Sequence, residues 1–141
     1  DIAFFGEIDG QQLAVIRRMT RDMCYGIEIV GCPIVREADG LAKSSRNTYM
    51  NVAERKAAQV LYRALQAGKN AIDSEEKDSN KITDIIQEVI DSEPMAVTDY
   101  VSVVDGITMM PIDKISDSTL IAIAVYIGKT RLIDNFTYHS R

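Results

Sequence analysis

The residues Ile2-Ala3-Phe4-Phe5 form a short apolar run that stops at Gly6, the pattern of a strand entering a turn. Asp9 stands where a helix N-cap belongs. Behind it Leu13, Ile16, Met19 and Met23 share one helical face, with Arg17, Arg18 and Arg21 mostly outside it, and Gly26 is expected to end the helix. A second apolar run begins at Ile27 and is stopped by Pro33. Strand, helix and strand over this length predict a βαβ unit with parallel strands.

Residues 36–47, READGLAKSSRN, are polar and contain glycine, which predicts a loop. Asn51 and Glu54 have the spacing of a capping box. Ala57, Val60, Leu61, Ala64 and Leu65 then recur at helical spacing, with Gly68 expected to close the helix. Residues 73–81 read as a charged linker, and Ile82, Ile85, Ile86, Val89 and Ile90 as the apolar stripe of a further helix. Beyond Pro94 the period becomes two: Tyr100, Ser102 and Val104 alternate with Val101, Val103 and Asp105, a strand. Asp105-Gly106 is a hairpin signal, so Ile107 to Ile112 is expected to pair back. Leu120 to Ile127 and Gly128 to Asn135 complete the sheet. The expected fold class is an α+β domain over residues 48–141, a helix pair plus a small antiparallel sheet, preceded by a βαβ remnant over residues 1–47. A sheet strand at Ile2 with nothing before it suggests a chain cut from a longer protein.

Composition narrows the classes. Hydrophobic residues are 46% and charged residues 26% of the chain, values that support a buried core. The net charge is -5 and no basic run exceeds Arg17-Arg18, so a nucleic-acid footprint is not expected. Cys24 and Cys32 are too few for a disulfide framework or a zinc site, and read as reduced thiols of a cytoplasmic protein. With His139 the single histidine, a metal cluster is not expected either. No apolar stretch approaches the roughly 20 residues of a membrane helix.

Two polar clusters bracket the βαβ unit. The first is Gly6-Glu7-Ile8-Asp9-Gly10-Gln11-Gln12, in a βα turn, where parallel sheets bind ligands and a helix N-terminus offers free N–H groups to an anion. Gln12 is placed to aim an amide at a carboxylate or hydroxyl. The same spacing also describes a plain Asp-capped helix. The second cluster, Lys43-Ser44-Ser45-Arg46, has two cations and two hydroxyls suited to a phosphate chain, or to a capped surface turn.

Together the segments FFGEIDGQQLAVIRRMTRD, IEIVGCPIVREADGLAKSSRN and TRLIDN resemble the pantothenate synthetase family across essentially the whole chain, with VREADGLA–SSRN the most specific part. The resemblance implies a Rossmann-like ATP-binding domain ending at residue 47 and a C-terminal α+β domain. It also implies an ATP-dependent ligase that joins D-pantoate to β-alanine through a pantoyl-adenylate, with Mg2+ whose ligands lie outside this chain. By the same resemblance Gly6, Glu7, Ile8 and Asp9 touch ATP, Gln12 holds pantoate, the backbone of Val35 meets the adenine, and Lys43, Ser44, Ser45 and Arg46 clamp the phosphates. Ser44, Ser45 and Arg46 would act catalytically by stabilising charge on the α-phosphate and pyrophosphate. Three departures stand out: Ile8 replaces a phosphate-binding lysine, Gly10 an aromatic residue and Lys43 an apolar one. The family's histidine-containing loop is not in the sequence, so the chain alone is expected to be inactive. Ile2, Phe4, Phe5, Ile27, Ile29 and Val30, left uncovered, would favour a homodimer or leave residues 1–47 disordered. The alternative is a degenerate, non-catalytic homologue serving as an interaction or dimerisation module, which Ile8 favours.

Overall fold

The computed structural model describes residues 1–140. Strands β1 (Ile2–Gly6) and β2 (Glu28–Cys32) pair in parallel, with Ile2 opposite Glu28 and Gly6 opposite Cys32. Helix α1 (Gly10–Asp22) is the crossover, and Asp9 caps it by accepting from the Gln12 N–H at 3.0 Å. The helix does not run on to Gly26. It closes at Cys24, which takes the left-handed conformation (φ 53°) while the Tyr25 N–H reaches back to the Thr20 carbonyl at 3.0 Å.

The rest of the chain is three helices followed by an antiparallel sheet. Helices α2 (Val52–Ala57), α3 (Val60–Asp73) and α4 (Ser79–Asp91) precede strands β3 (Ala96–Asp105), β4 (Thr119–Ile127) and β5 (Thr130–Tyr138), in the order β3-β4-β5. Both halves of the capping box form: the Glu54 N–H meets Asn51 Oδ1 at 2.8 Å, and the Asn51 N–H meets Glu54 Oε2 at 3.0 Å. Asp78 caps α4 through the N–H groups of Asn80 and Lys81 at 2.9 and 3.1 Å, which draws the helix start into the predicted linker.

The core lies between this sheet and the helices. Ile121, Ile123, Val125 and Ile127 alternate along β4 onto Leu61, Ala64 and Leu65 of α3 and Ile82, Ile86 and Ile90 of α4. Each large aliphatic side chain buried there contributes about 1.5–3 kcal/mol. Gly68 does not close a helix. It sits inside α3, where a Cβ would stand 2.7 Å from Ile86 Cδ1, so its missing side chain lets α3 and α4 approach.

The strand expected at Ile107 to Ile112 is absent. Asp105 Oδ1 instead accepts from the N–H groups of Ile107 and Thr108 at 2.9 and 2.7 Å, and Met109 adopts a left-handed φ of 60°. Pro111 has no N–H to lend a ladder, and only a single bridge joins it to Val104. The Asp105 side chain thus turns the chain into a long loop, and β3 takes β4 as its partner. Strand β3 also starts earlier than expected, with a register shift between Thr98 and Tyr100 that leaves Asp99 out of the ladder.

Residues 36–47 are more ordered than a loop reading suggests. The Glu37 N–H bonds the Leu41 carbonyl and the Lys43 N–H bonds the Val35 carbonyl, both at 2.8 Å, and Arg36 bridges Ala42. Gly40 makes the turn at φ 92°, with the Tyr62 ring so close that a Cβ would lie 2.2 Å from its Cδ1. A 3-10 turn, Ser45–Tyr49, comes next. Among the described residues no helix is long and apolar enough to cross a membrane.

Candidate functional site

Two connections tie the βαβ unit to the antiparallel sheet. Arg36 donates to both oxygens of Asp134 on β5, at 2.7 and 2.9 Å, and also to the Gly40 carbonyl at 2.9 Å. Its guanidinium lies 5.0 Å from the centre of the Tyr62 ring. The Asp134 side chain is only 1% exposed, so the pair works in a low dielectric, and the hydrogen bonds to Asp134 hold the Arg36 proton more firmly than usual despite the opposing cost of burial. The next residue, Asn135, donates from its Nδ2 to the carbonyls of Glu7 and Ile8 at 2.8 and 3.0 Å. This fixes the backbone of the βα turn against β5.

The glycine hairpin is braced a second time by Arg55 from α2, which holds Asp39 at 2.7 and 3.2 Å. Asp39 also accepts from the Leu41 N–H, and its carboxyl sits below the ordinary aspartate range chiefly because of the Arg55 hydrogen bond. Leu41 and Ala42 are buried, and the Ala42 carbonyl accepts from Asn47 Nδ2 at 3.0 Å. The READGLA segment is therefore a scaffold for residues 43–46. It presents them beside the βα turn.

These pieces converge on a pocket of about 130 Å³. Ile8 enters it from the βα turn, Lys43, Ser44 and Arg46 from the hairpin and 3-10 turn, and Arg131 from β5. Its described lining has three cations and no carboxylate. The Ser44 Oγ accepts from the Arg46 N–H at 3.2 Å and so caps the 3-10 turn. Lys43 is only loosely paired with Glu37, at 4.0 Å. Such a lining suits a multiply charged anion. A second cleft, about 380 Å³, adjoins it between the Ile8–Gln11 turn and the outer face of the sheet around Tyr100, Ser102 and Ala122.

The remaining predicted site residues are spread around this pocket. Gly6 ends β1, Asp9 caps α1, and the Glu7 N–H bonds the Cys32 carbonyl at 2.9 Å. Ser45 is exposed at the start of the 3-10 turn. Val35 is 64% exposed, with its carbonyl engaged by the Lys43 N–H. Gln12 is exposed on α1 and does not line the pocket of Ile8 and Arg46. Among the described residues no group of three or more His, Cys, Asp or Glu is arranged to hold a metal ion. Sequence reasoning gave no role to Arg36, Arg131, Asp134 or Asn135, although all four fall within the READGLA and TRLIDN segments it singled out.

Comparison with known proteins agrees with this arrangement. A family model described as pantoate-beta-alanine ligase matches residues 1–137. The pantothenate synthetase of Clostridium botulinum (strain Kyoto / Type A2) is 60% identical over 136 residues, which are 96% of this chain and 48% of the relative. That of Enterococcus faecalis is 54% identical over 138 residues, 98% of this chain and 49% of its own length. The crystal structure of pantothenate synthetase from Thermus thermophilus superposes with a TM-score of 0.92 at 38% identity, covering 99% of this chain and 50% of that one. A pantoate-beta-alanine ligase from Francisella tularensis, complexed with beta-gamma ATP and beta-alanine, superposes with a TM-score of 0.62 at 27% identity, covering 96% of this chain and 43% of that one. The chain spans about half the length of the curated relatives it matches. With helices, a three-stranded antiparallel sheet and a two-stranded parallel one in the same arrangement as the Thermus structure, this chain belongs to the pantoate-beta-alanine ligase family.

Proposed function

We propose that this chain supplies the phosphate clamp of an ATP-dependent ligase that condenses D-pantoate with β-alanine. The observation that carries the reading is the convergence of Ile8, Lys43, Ser44 and Arg46 on one cationic pocket. A pantoate carboxylate oxygen attacks the α-phosphorus of ATP and pyrophosphate leaves. The β-alanine amine then attacks the acyl carbon of the pantoyl-adenylate, and AMP leaves. Arg46, with the hydroxyls of Ser44 and Ser45, stabilises the charge that grows on the α-phosphate and the departing pyrophosphate. Gly6, Glu7, Ile8 and Asp9 line the phosphate path, the backbone of Val35 meets the adenine, and Gln12 holds pantoate.

In this reading residues 1–47 are the end of a Rossmann-like ATP-binding domain, and residues 48–141 the α+β domain that backs it. In this reading Mg2+ is held by residues outside this chain, and no step is assigned through it. The chain alone is inactive, because the remaining half of a relative's length is needed to complete the site. Exposed Ile2 and Phe4, at 57% and 66%, with Ile27 beside them, support association into a homodimer. The proposed setting is the cytoplasm.

One observation favours a second reading. Ile8 brings an apolar side chain into the pocket and cannot donate a hydrogen bond to phosphate, as in a homologue that has lost catalysis and retains an interaction role. AMP release dependent on ATP, pantoate and β-alanine, measured on the whole protein and its Ser44→Ala and Arg46→Ala variants, separates the two. Release that is lost in the variants supports the ligase, and no release from the folded whole protein favours the interaction module.

A further inference from the structure

Arg131 is the member of the cationic pocket that neither the family resemblance nor the proposed clamp accounts for. It stands opposite Tyr126 on β5, on the sheet face turned away from the core, together with Ile133 and Asn135. Asn135 fixes the turn that carries Ile8, so Arg131 and Ile8 are presented to the same pocket by one strand. The guanidinium is held in place from β3: Nε donates to Asp99 Oδ2 at 2.9 Å, and the group lies 5.8 Å from the centre of the Tyr100 ring. The register shift between Thr98 and Tyr100 frees Asp99 from the ladder for this contact. Because the Asp99 bond uses Nε, the two terminal nitrogens have no hydrogen-bond partner among the described residues. A planar guanidinium oriented through Nε, on a residue that lines one pocket with Ser44 and Arg46, keeps its two terminal nitrogens for parallel bonds to a phosphate.

We propose that Arg131 is a phosphate-contacting residue of this pocket, supplying from β5 the positive charge that Ile8 does not. The proposal rests on the reading of the pocket as a polyphosphate site. It differs from that reading in assigning a contact to the second structural unit, outside the 43–46 clamp.

The test is isothermal titration of this chain with inorganic tripolyphosphate at low salt, with the fold of each variant checked by circular dichroism. Arg131→Gln is expected to weaken binding about tenfold, the loss of a charge-assisted bond. Asp99→Asn is expected to tighten binding by up to about fivefold, because the asparagine oxygen still accepts from Nε and holds the guanidinium while the neighbouring negative charge is gone. If Arg131→Gln binds like the parent while Arg46→Gln binds weakly, the Arg131 contact is overturned and the polyphosphate site stands. If the parent chain binds no tripolyphosphate, both fall. Should Arg131→Gln fail to fold, Asp99→Asn decides: tighter binding supports the contact, and unchanged or weaker binding overturns it.

Discussion

Arg36 and Asp134 are 98 residues apart in the chain and joined by two hydrogen bonds of 2.7 and 2.9 Å. The pair binds the hairpin that carries Lys43 to Arg46 to the last strand of the sheet. Arg36→Ala leaves the Asp134 carboxylate buried and uncompensated and should destabilise the chain by about 3 kcal/mol, more than Asp134→Ala, which leaves a part-exposed Arg36. Denaturant unfolding of both variants checks it. Losses under about 1 kcal/mol, the range of exposed pairs, would mean that the hairpin is held by Leu41 and Tyr62 without the ion pair.

Asn135 acts on the other wall of the pocket. Its Nδ2 bonds to the Glu7 and Ile8 carbonyls have no substitute in an alanine. Asn135→Ala should cost about 1–2 kcal/mol and speed hydrogen exchange at the turn amides of residues 7–10 more than in α3. Exchange that rises equally everywhere would mark a general loss of stability and contradict a specific hold on the turn.

The Asp39–Arg55 pair predicts a pH dependence. Its carboxyl titrates below the ordinary aspartate range, chiefly because of the Arg55 hydrogen bond. The folded state thus favours the charged form. The stabilisation is complete above the unfolded-state pKa and is lost as pH falls through the lower folded-state value. Unfolding free energies of the parent and Asp39→Asn should differ at neutral pH and converge in strong acid. A gap that persists unchanged into acid would contradict this assignment.

Ile8 lies in the pocket with Lys43, Ser44 and Arg46. A lysine at this position adds a charge-assisted bond to phosphate, so Ile8→Lys should raise kcat/KM of the whole protein about tenfold. Steady-state kinetics decide it. An unchanged or lower value would mean that the cations already present, Lys43 and Arg131, suffice.

The fold was largely legible where a single period ran unbroken. The 3.6-residue stripe of Ile82, Ile86 and Ile90 became core, and the apolar run Leu120 to Ile127 became the central strand. The βαβ unit was legible because its runs are short and bounded by Gly6 and Pro33. Errors arose where one side chain overrides the pattern. Asp105 gathers two N–H groups and abolishes a strand, and Gly68 reads as a stop but serves as a contact. Lys43 to Arg46 could be singled out from residue types alone only as a candidate, a phosphate loop or a capped surface turn. The bracing of that loop could not, because Arg36 meets Asp134 and Asn135 meets Ile8 only after the sheet has formed. Nothing local in TRLIDN announces those partners.

The central claim is that the βα turn and the 43–46 segment form one polyphosphate site. The most direct test is a titration of the isotope-labelled chain with ATP, followed by the backbone amide resonances. The account predicts that Ile8, Lys43, Ser44, Ser45 and Arg46 shift together along one binding curve, and that Arg46→Ala abolishes the shifts at all five. Shifts confined to other surfaces, or no saturable shift at these five amides, would contradict it.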